Sequence, residues 1–393
     1  MSAYHSQAAR GATRDGRPHM IYSTIFGIDS HARTTTICAL DTETGVTTIR
    51  TFRGNGYALM SEWMAKFPVP AYGVYEAGCT GFVPARLLTT ADVAVLPIAP
   101  SKMPKSSDSR TRKNDRNDAC RLARLAMAGE LKEVWVPSEE VEGLRDLVHA
   151  LDDLKDQRTR AYQRVLSLLC RHGIVWDQRT RTGRLKKAWG RDFWAWLRKV
   201  ELADPISQSA LLAAVRAAES AREQYDELLR RAHELAGASS LSPAIDALQC
   251  LKCVSFVTAL SFCACVGDFS RFASGRKVTS WLGLAPSESS SALTVRVGAI
   301  SRCGNQMLRS LLVECSWAAA RACPTSGKSC KASVDAHMRE RARTLSIRLC
   351  ERRRSMLARG VAPCKANVAT AAELGRFMYF LGQECQKAEA EAA

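Results

Sequence analysis

Phe26-Gly27-Ile28-Asp29-Ser30 and, further along the chain, Val74-Tyr75-Glu76-Ala77-Gly78 each close an apolar, β-rich run on a carboxylate. Working outward from the first, Ile21 to Ile28, Thr34 to Leu40 and Val46 to Phe52 alternate as strands do. The gaps between them are short and hold Asp, Thr and Gly, so three hairpin-connected strands are expected. A helix from about Tyr57 to Phe67 follows. Ala71 to Tyr75 and Val93 to Pro97 read as two more strands, and the helical stretch Gly81 to Thr90 between them supplies the crossover that a parallel pair needs.

Three antiparallel strands followed by parallel ones separated by helices is the order of a ribonuclease H-like mixed sheet, in which the first and fourth strands are neighbours. That order would set Asp29 and Glu76 side by side at the carboxyl ends of adjacent strands, where two charges repel unless a cation is shared. Gly27 and Gly78 would permit close backbone approach beside them. A second acidic pair lies in Lys113-Asn114-Asp115-Arg116-Asn117-Asp118-Ala119 at the start of a helix. The i, i+3 spacing puts Asp115 and Asp118 on one face, in a first turn that favours carboxylates, although one of them could serve only as a cap. Hard oxygen ligands of this kind suit Mg²⁺ or Mn²⁺ and imply phosphodiester chemistry. Lys102, Lys105, Arg110, Arg112 and Lys113 lead into the pair as a basic run suited to phosphates.

Composition agrees with a nucleic-acid partner. Lys and Arg number 56 against 39 Asp and Glu, a formal charge of +17 over 393 residues, and a chain of this length can hold two or three domains. The 15 cysteines follow no secreted-domain spacing and read as reduced thiols. Cys250, Cys253, Cys263 and Cys265 have a cramped second pair inside an apolar run, so buried small side chains are favoured over a zinc site. Residues 1–20 are polar and basic with no apolar core, which predicts a disordered extension rather than a signal peptide. Val257 to Val266 is too short to cross a bilayer, which takes about 20 residues, and a soluble cytoplasmic protein is expected.

After the acidic pair the pattern becomes helical. Leu144, Leu147, Leu151 and Leu154, resumed by Val165 and Leu168, mark one long amphipathic helix, and Leu211, Val215, Tyr225, Leu228, Ala232 and Leu235 mark a second from about Ser207 to Ala236. Together they predict an antiparallel coiled-coil hairpin. The expected division is a disordered extension (1–20), a mixed α/β domain (21–134), a helical coiled-coil region (135–238), a helical domain with a Gly/Ser-rich loop (239–345) and a basic helical tail (346–393). A serine run such as Ser289-Ser290-Ser291, between a Pro turn and a Gly turn, is by itself an ordinary flexible loop.

Taken together, these motifs resemble the DEDD transposases of bacterial insertion sequences. The resemblance rests on Gly27-Ile28-Asp29, Tyr75-Glu76-Ala77 and Asn114-Asp115-Arg116-Asn117-Asp118-Ala119. It continues through Val266-Gly267-Asp268-Phe269-Ser270-Arg271-Phe272, Gly283-Leu284-Ala285-Pro286-Ser287-Glu288, and Gly304-Asn305 with Arg309. It implies a RuvC-like domain binding Mg²⁺ or Mn²⁺ through Asp29, Glu76, Asp115 and Asp118, and a C-terminal transposase domain with a nucleophilic serine. Matched to the family's Tyr-x-Ser-Gly pattern, that serine is Ser291, with Ser290 as the alternative. A phosphoserine linkage would conserve bond energy and make ATP unnecessary. The resemblance also implies donor and target DNA as substrates, a guide non-coding RNA, a homo-oligomer assembled through the helical hairpin, and a place in the bacterial cytoplasm in association with the nucleoid. Arg296, Arg302, Asn305 and Arg309 become expected nucleic-acid contacts. The chain departs from the pattern at Ser289 in place of Tyr, Ala292 in place of Gly, and Cys253 in place of a Gly before the apolar helix.

Three other readings remain open on sequence. One is a resolvase-type metal nuclease without serine chemistry. Another is an actin-like kinase, because Gly-Ile-Asp also opens sugar-kinase sheets, although no second phosphate loop follows. The third is an inactive nucleic-acid-binding copy.

Overall fold

The computed structural model describes residues 10–12, 18–20, 22–54, 56–104, 114–291, 294–319 and 330–392. Lys105, Arg110, Arg112, Lys113 and Ala292, singled out above, lie outside them. The chain forms two compact units, residues 1–138 and 139–393.

The first unit begins with a two-stranded ladder of β1 (Arg10–Ala12) and β2 (Pro18–Met20), where the sequence predicts only a disordered extension. The five-stranded sheet comprises β3 (Thr24–Ser30), β4 (Thr34–Asp41), β5 (Thr47–Arg53), β6 (Ala71–Glu76) and β7 (Val93–Ile98), in the order β5-β4-β3-β6-β7. Strands β3, β4 and β5 pair antiparallel, while β6 pairs parallel with both β3 and β7. Mixed pairing and order are consistent with a ribonuclease H-like core. Strand alternation splits β3 between two cores. Phe26 and Ile28 pack on one face with Met60, Trp63 and Leu88, under α1 (Tyr57–Met64) and α2 (Val83–Leu88). Ile25 packs on the other face with Cys38, Leu40, Ala119 and Ala123, under α3 (Asp115–Met127). Burying Phe26 and Ile28 completely contributes roughly 1.5–3 kcal/mol each.

The second unit opens with two 33-residue helices, α4 (Glu139–Arg171) and α6 (Pro205–Gly237). They run antiparallel: Glu140 accepts from Ser240 N at 3.0 Å at one end, and Val165 and Leu168 share a core with Leu211 and Val215 nearer the other. That core also takes Trp176, Phe193 and Trp194, the last two from α5 (Arg191–Leu197). The sequence reading missed this aromatic knot, although the Trp density of residues 176–196 signals it.

The rest of the unit consists of α7 (Ser242–Gln249), α8 (Phe256–Val266), α9 (Gly275–Trp281), a hairpin of β8 (Pro286–Ser291) and β9 (Thr294–Ile300), α10 (Gln306–Ala319), α11 (Ala336–Ala358) and α12 (Pro363–Ala392). Helix α8 is apolar on all sides and is correspondingly buried from Thr258 to Val266. The hairpin replaces the expected flexible loop, with Ser290 paired to Val295 and Ser291 to Thr294. The expectation that every thiol is free is also corrected: Cys250 is disulfide-bonded to Cys330. Cys263 and Cys265 are buried free thiols, and Cys250, being bonded to sulfur, is no zinc ligand.

Candidate metal centre and serine hairpin

Helix α3 sets the position of the first acidic site, and Gly27 sets the position of the helix. A Cβ built on Gly27 would stand 1.9 Å from the Ala119 carbonyl oxygen and 2.6 Å from the Ala123 nitrogen. Only glycine lets the helix lie this close to β3. Gly78 meets no comparable crowding, its nearest neighbour being the Glu76 carbonyl oxygen at 3.8 Å. Close approach was therefore read correctly at one of the two glycines.

The N-terminus of α3 arrives at the end of β3. Its cap is Asn114, whose Oδ1 accepts from Arg116 N at 3.1 Å, so the cap role considered for Asp115 or Asp118 belongs to neither. Both sit in the first turn, where the helix dipole favours negative charge. Asp29 lies on the sheet face that α3 covers, because alternation puts it with Ile25 and Gly27. Glu76 lies on the same face of the adjoining strand: Ile28 pairs with Tyr75, so the two carboxylates occupy the next positions along parallel neighbours.

Asp29 feels this crowding. Its pKa is raised, first by desolvation and then by the charges of Asp115 and Asp118, against a lowering by His31. His31 Nε2 stands 3.3 Å from Asp29 Oδ2. Asp29, His31 and Asp115 each offer a ligand atom within 4.8 Å of the other two. Asp118 and Glu76 fall outside that tight set, Asp118 half-buried beside it and Glu76 exposed. His31 was missed by sequence reasoning, though it follows Asp29 by two residues. Two oxygens and an imidazole nitrogen, one of the oxygens on a carboxylate whose pKa is raised by burial and neighbouring acids, form a donor set that fits a divalent metal.

In the second unit the glycine motifs lock together. Gly283 has φ +70°, and a Cβ on Gly304 would stand 2.2 Å from the Trp281 carbonyl oxygen. Asn305 Oδ1 accepts from Leu308 N at 3.0 Å, capping α10, and Arg309 donates to the Leu282 carbonyl at 3.2 Å. Asn305 and Arg309 thus have roles inside the domain that the sequence reading, which expected nucleic-acid contacts, did not assign. Arg302, exposed, follows the hairpin in a left-handed conformation, φ 56°. Cys253, where the family pattern has glycine, has φ 74°, a conformation that glycine adopts without strain. Ser291 ends β8 beside the hairpin turn, and Arg296 lies on β9 opposite Ser289. Lys102 ends a single 3₁₀ turn, Pro100–Lys102, just after β7.

Two family models match the chain: one for DEDD-type IS110 transposases over residues 26–173, and one described as the transposase IS116/IS110/IS902 family over residues 245–331. "Putative transposase y4qE" of Sinorhizobium fredii is 33% identical over 319 residues, covering 80% of this chain and 76% of the relative. The chain belongs to the IS110 family of transposases. More distant relatives include the transposases for insertion sequence element IS1533 of Leptospira borgpetersenii, 27% identical over 52% of this chain and 57% of the relative, and IS1111A of Coxiella burnetii, 27% identical over 52% and 54%.

This transposase is accordingly an enzyme of DNA cutting and rejoining, and the actin-like kinase reading falls away. The first matched segment contains Asp29, Glu76, Asp115 and Asp118, and the second contains the serine hairpin. Among the described residues, no helix is long and apolar enough to cross a membrane.

Proposed function

We propose that this transposase moves DNA with two chemical centres: a carboxylate site formed by Asp29, Glu76, Asp115 and Asp118 that takes Mg²⁺ or Mn²⁺, and a nucleophilic serine, Ser291, on the β8–β9 hairpin. The observation that carries the reading is the convergence of Asp29, His31 and Asp115 within 4.8 Å at the edge of a RuvC-like sheet. A bound divalent ion would neutralise phosphate charge and favour the departing oxygen. The chain's own groups do the rest. Asp29 and Asp115 would supply oxygen donors and His31 an imidazole nitrogen, and Glu76 and Asp118 border the same face.

The Ser291 hydroxyl attacks a DNA phosphorus. One P–O bond forms to serine, one P–O bond to deoxyribose breaks, and the proton leaves with the sugar oxygen. Reversal with a different sugar hydroxyl rejoins the strand without an external energy source. Sequence choice belongs to a non-coding guide RNA paired with donor and target DNA, while the protein holds backbones by charge. The net charge of +17 supports this, with Lys102, Lys105, Arg110, Arg112, Lys113, Arg296 and Arg302 as contacts. Asn305 and Arg309 support that surface from inside the domain. Several active sites must act together, so a homo-oligomer assembled through the α4–α6 pair, packed as a coiled coil, is part of the proposal.

The test is to trap a protein–DNA adduct on a supercoiled donor in Mg²⁺. The adduct should vanish in Ser291→Ala and persist in Ser290→Ala. Strand exchange should fall by a factor of about 10³ or more in Asp29→Ala. Cleavage that survives Ser291→Ala at full rate would replace this reading by a metal nuclease of the resolvase kind.

A further inference from the structure

The second unit contains a cleft of about 780 Å³ between α9, the base of the β8–β9 hairpin and α12. Its size lies within the roughly 300–1,000 Å³ range of small-ligand sites. Leu284, Pro286, Ile300 and Val368 contribute to an apolar floor, and Arg276, Arg352, Lys365 and Arg376 are the ionisable groups around it apart from the Cys364 thiol. Among the described lining residues there is no carboxylate.

The cations differ in how they are held. Arg352 Nε is 3.0 Å from Glu373 Oε2, a carboxylate only 2% exposed that also meets Arg348. Arg276, Lys365 and Arg376 form no ion pair with any carboxylate of the described residues. Arg376 Nε is buried without a hydrogen-bond partner among them. Its side chain crosses the start of α9 at Gly275, where an added Cβ would stand 3.2 Å from Arg376 Cγ. A preformed concavity with an apolar floor and uncompensated positive charge at its rim fits a ligand that is apolar and planar on one side and anionic on the other. A base pair within a duplex hides its planar faces by stacking, whereas an unpaired nucleotide offers both parts.

We propose that this cleft holds one unpaired nucleotide of a single-stranded nucleic acid, its base on the Leu284–Ile300–Val368 floor and its phosphates against Arg276, Lys365 and Arg376. Pro286 pairs with Ile300 at the base of the hairpin, and Ser291 pairs with Thr294 at its turn. Five residues of strand, about 17 Å, separate the cleft from the serine. The cleft is therefore a holding site, which grips a strand while the far end of the hairpin carries the nucleophile. The inference rests on the transposase reading only in taking nucleic acid as the substrate. It requires neither the metal site nor the identity of the nucleophile.

The experiment measures fluorescence anisotropy of labelled oligo-dT, oligo-U and a DNA duplex with the full-length protein, in buffer without divalent ions, so that no chemistry intervenes. Ala369→Trp, which fills the cleft from α12, should weaken binding of a single strand about tenfold and leave duplex binding unchanged, with the salt dependence unaltered. Arg276→Ala with Lys365→Ala should weaken single-strand binding similarly and lower the slope of log affinity against log salt by about 2. Tighter binding of oligo-U would assign the held strand to RNA and tighter binding of oligo-dT to DNA, either of which supports the site. Unchanged single-strand affinity in Ala369→Trp, with a wild-type melting curve, would overturn it. So would equal losses for single strand and duplex in the double variant, which would reduce the cleft to a general basic surface. Loss of the Ser291 adduct result would leave these readings intact, so the two proposals fail separately.

Discussion

His31 Nε2 lies 3.3 Å from Asp29 Oδ2, so the group nearest the central carboxylate of the acidic cluster is a nitrogen donor two residues along the same segment. Imidazole binds Mn²⁺ more readily than Mg²⁺, which keeps to oxygen and water. His31→Ala should therefore weaken Mn²⁺ binding by roughly tenfold and Mg²⁺ binding less. Electron spin-echo spectroscopy of the Mn²⁺ complex should show a ¹⁴N coupling that disappears in the variant. A nitrogen signal that survives His31→Ala would remove His31 from the site.

Asp29 carries a raised pKa, from desolvation first and from Asp115 and Asp118 after it. A carboxyl that binds its proton more tightly folded than unfolded destabilises the fold once it ionises. The penalty is absent below the unfolded value and sets in as pH rises through it toward the raised one. Asp29→Asn should raise the melting midpoint of the metal-free protein at pH 7 by a few degrees, and the gain should vanish on acidification. The same proton competes with metal, so affinity for Mg²⁺ should begin to fall at a higher pH than an ordinary carboxylate would dictate. Calorimetry across pH checks both signs.

Gly27→Ala places a methyl group against backbone, where no side chain can swing aside. The helix must lift from the sheet, at a cost of roughly 2–4 kcal/mol. Since α3 carries Asp115 and Asp118, metal binding should be lost even at temperatures where circular dichroism still reports a folded sheet. Gly78→Ala, where no such contact exists, should retain both stability and metal affinity.

The Cys250–Cys330 bridge closes a loop across 80 residues of the second unit. Breaking such a loop costs about 4 kcal/mol in the chain-entropy account. Cys330→Ser, or reduction of the wild type, should lower the melting midpoint of the second unit while leaving metal binding by the first unchanged. Peptide mapping without reductant should recover the linked pair.

Much of this architecture is legible locally. The strands around Gly27-Ile28-Asp29 and Tyr75-Glu76 alternate cleanly, and their ends are recovered to within a few residues, because one face of each strand packs under α1 and α2 and the other under α3. The leucine stripes of α4 and α6 are equally plain. What escaped was contact between distant segments: the Trp176–Phe193–Trp194 knot, the Cys250–Cys330 bond, and the pairing that turns a serine-rich loop into β8 and β9. Ser and Glu in β8 carry no strong strand signal, and although Thr294, Val295, Val297 and Ile300 in β9 do, the hairpin depends on cross-strand partners.

The order of strands, the carboxylates at their ends, the long helices and the family itself were written in the linear pattern, since hydrophobic period and residue type are local quantities. Which carboxylate meets which, that His31 joins Asp29 and Asp115, that Asn114 takes the cap, and that four cations ring an apolar cleft were decided only by tertiary structure. Those relations depend on the distance at which α3 settles on the sheet over Gly27 and on how α12 packs against α9. Such distances come from close packing of surfaces far apart in the chain, which no window of neighbouring residues contains.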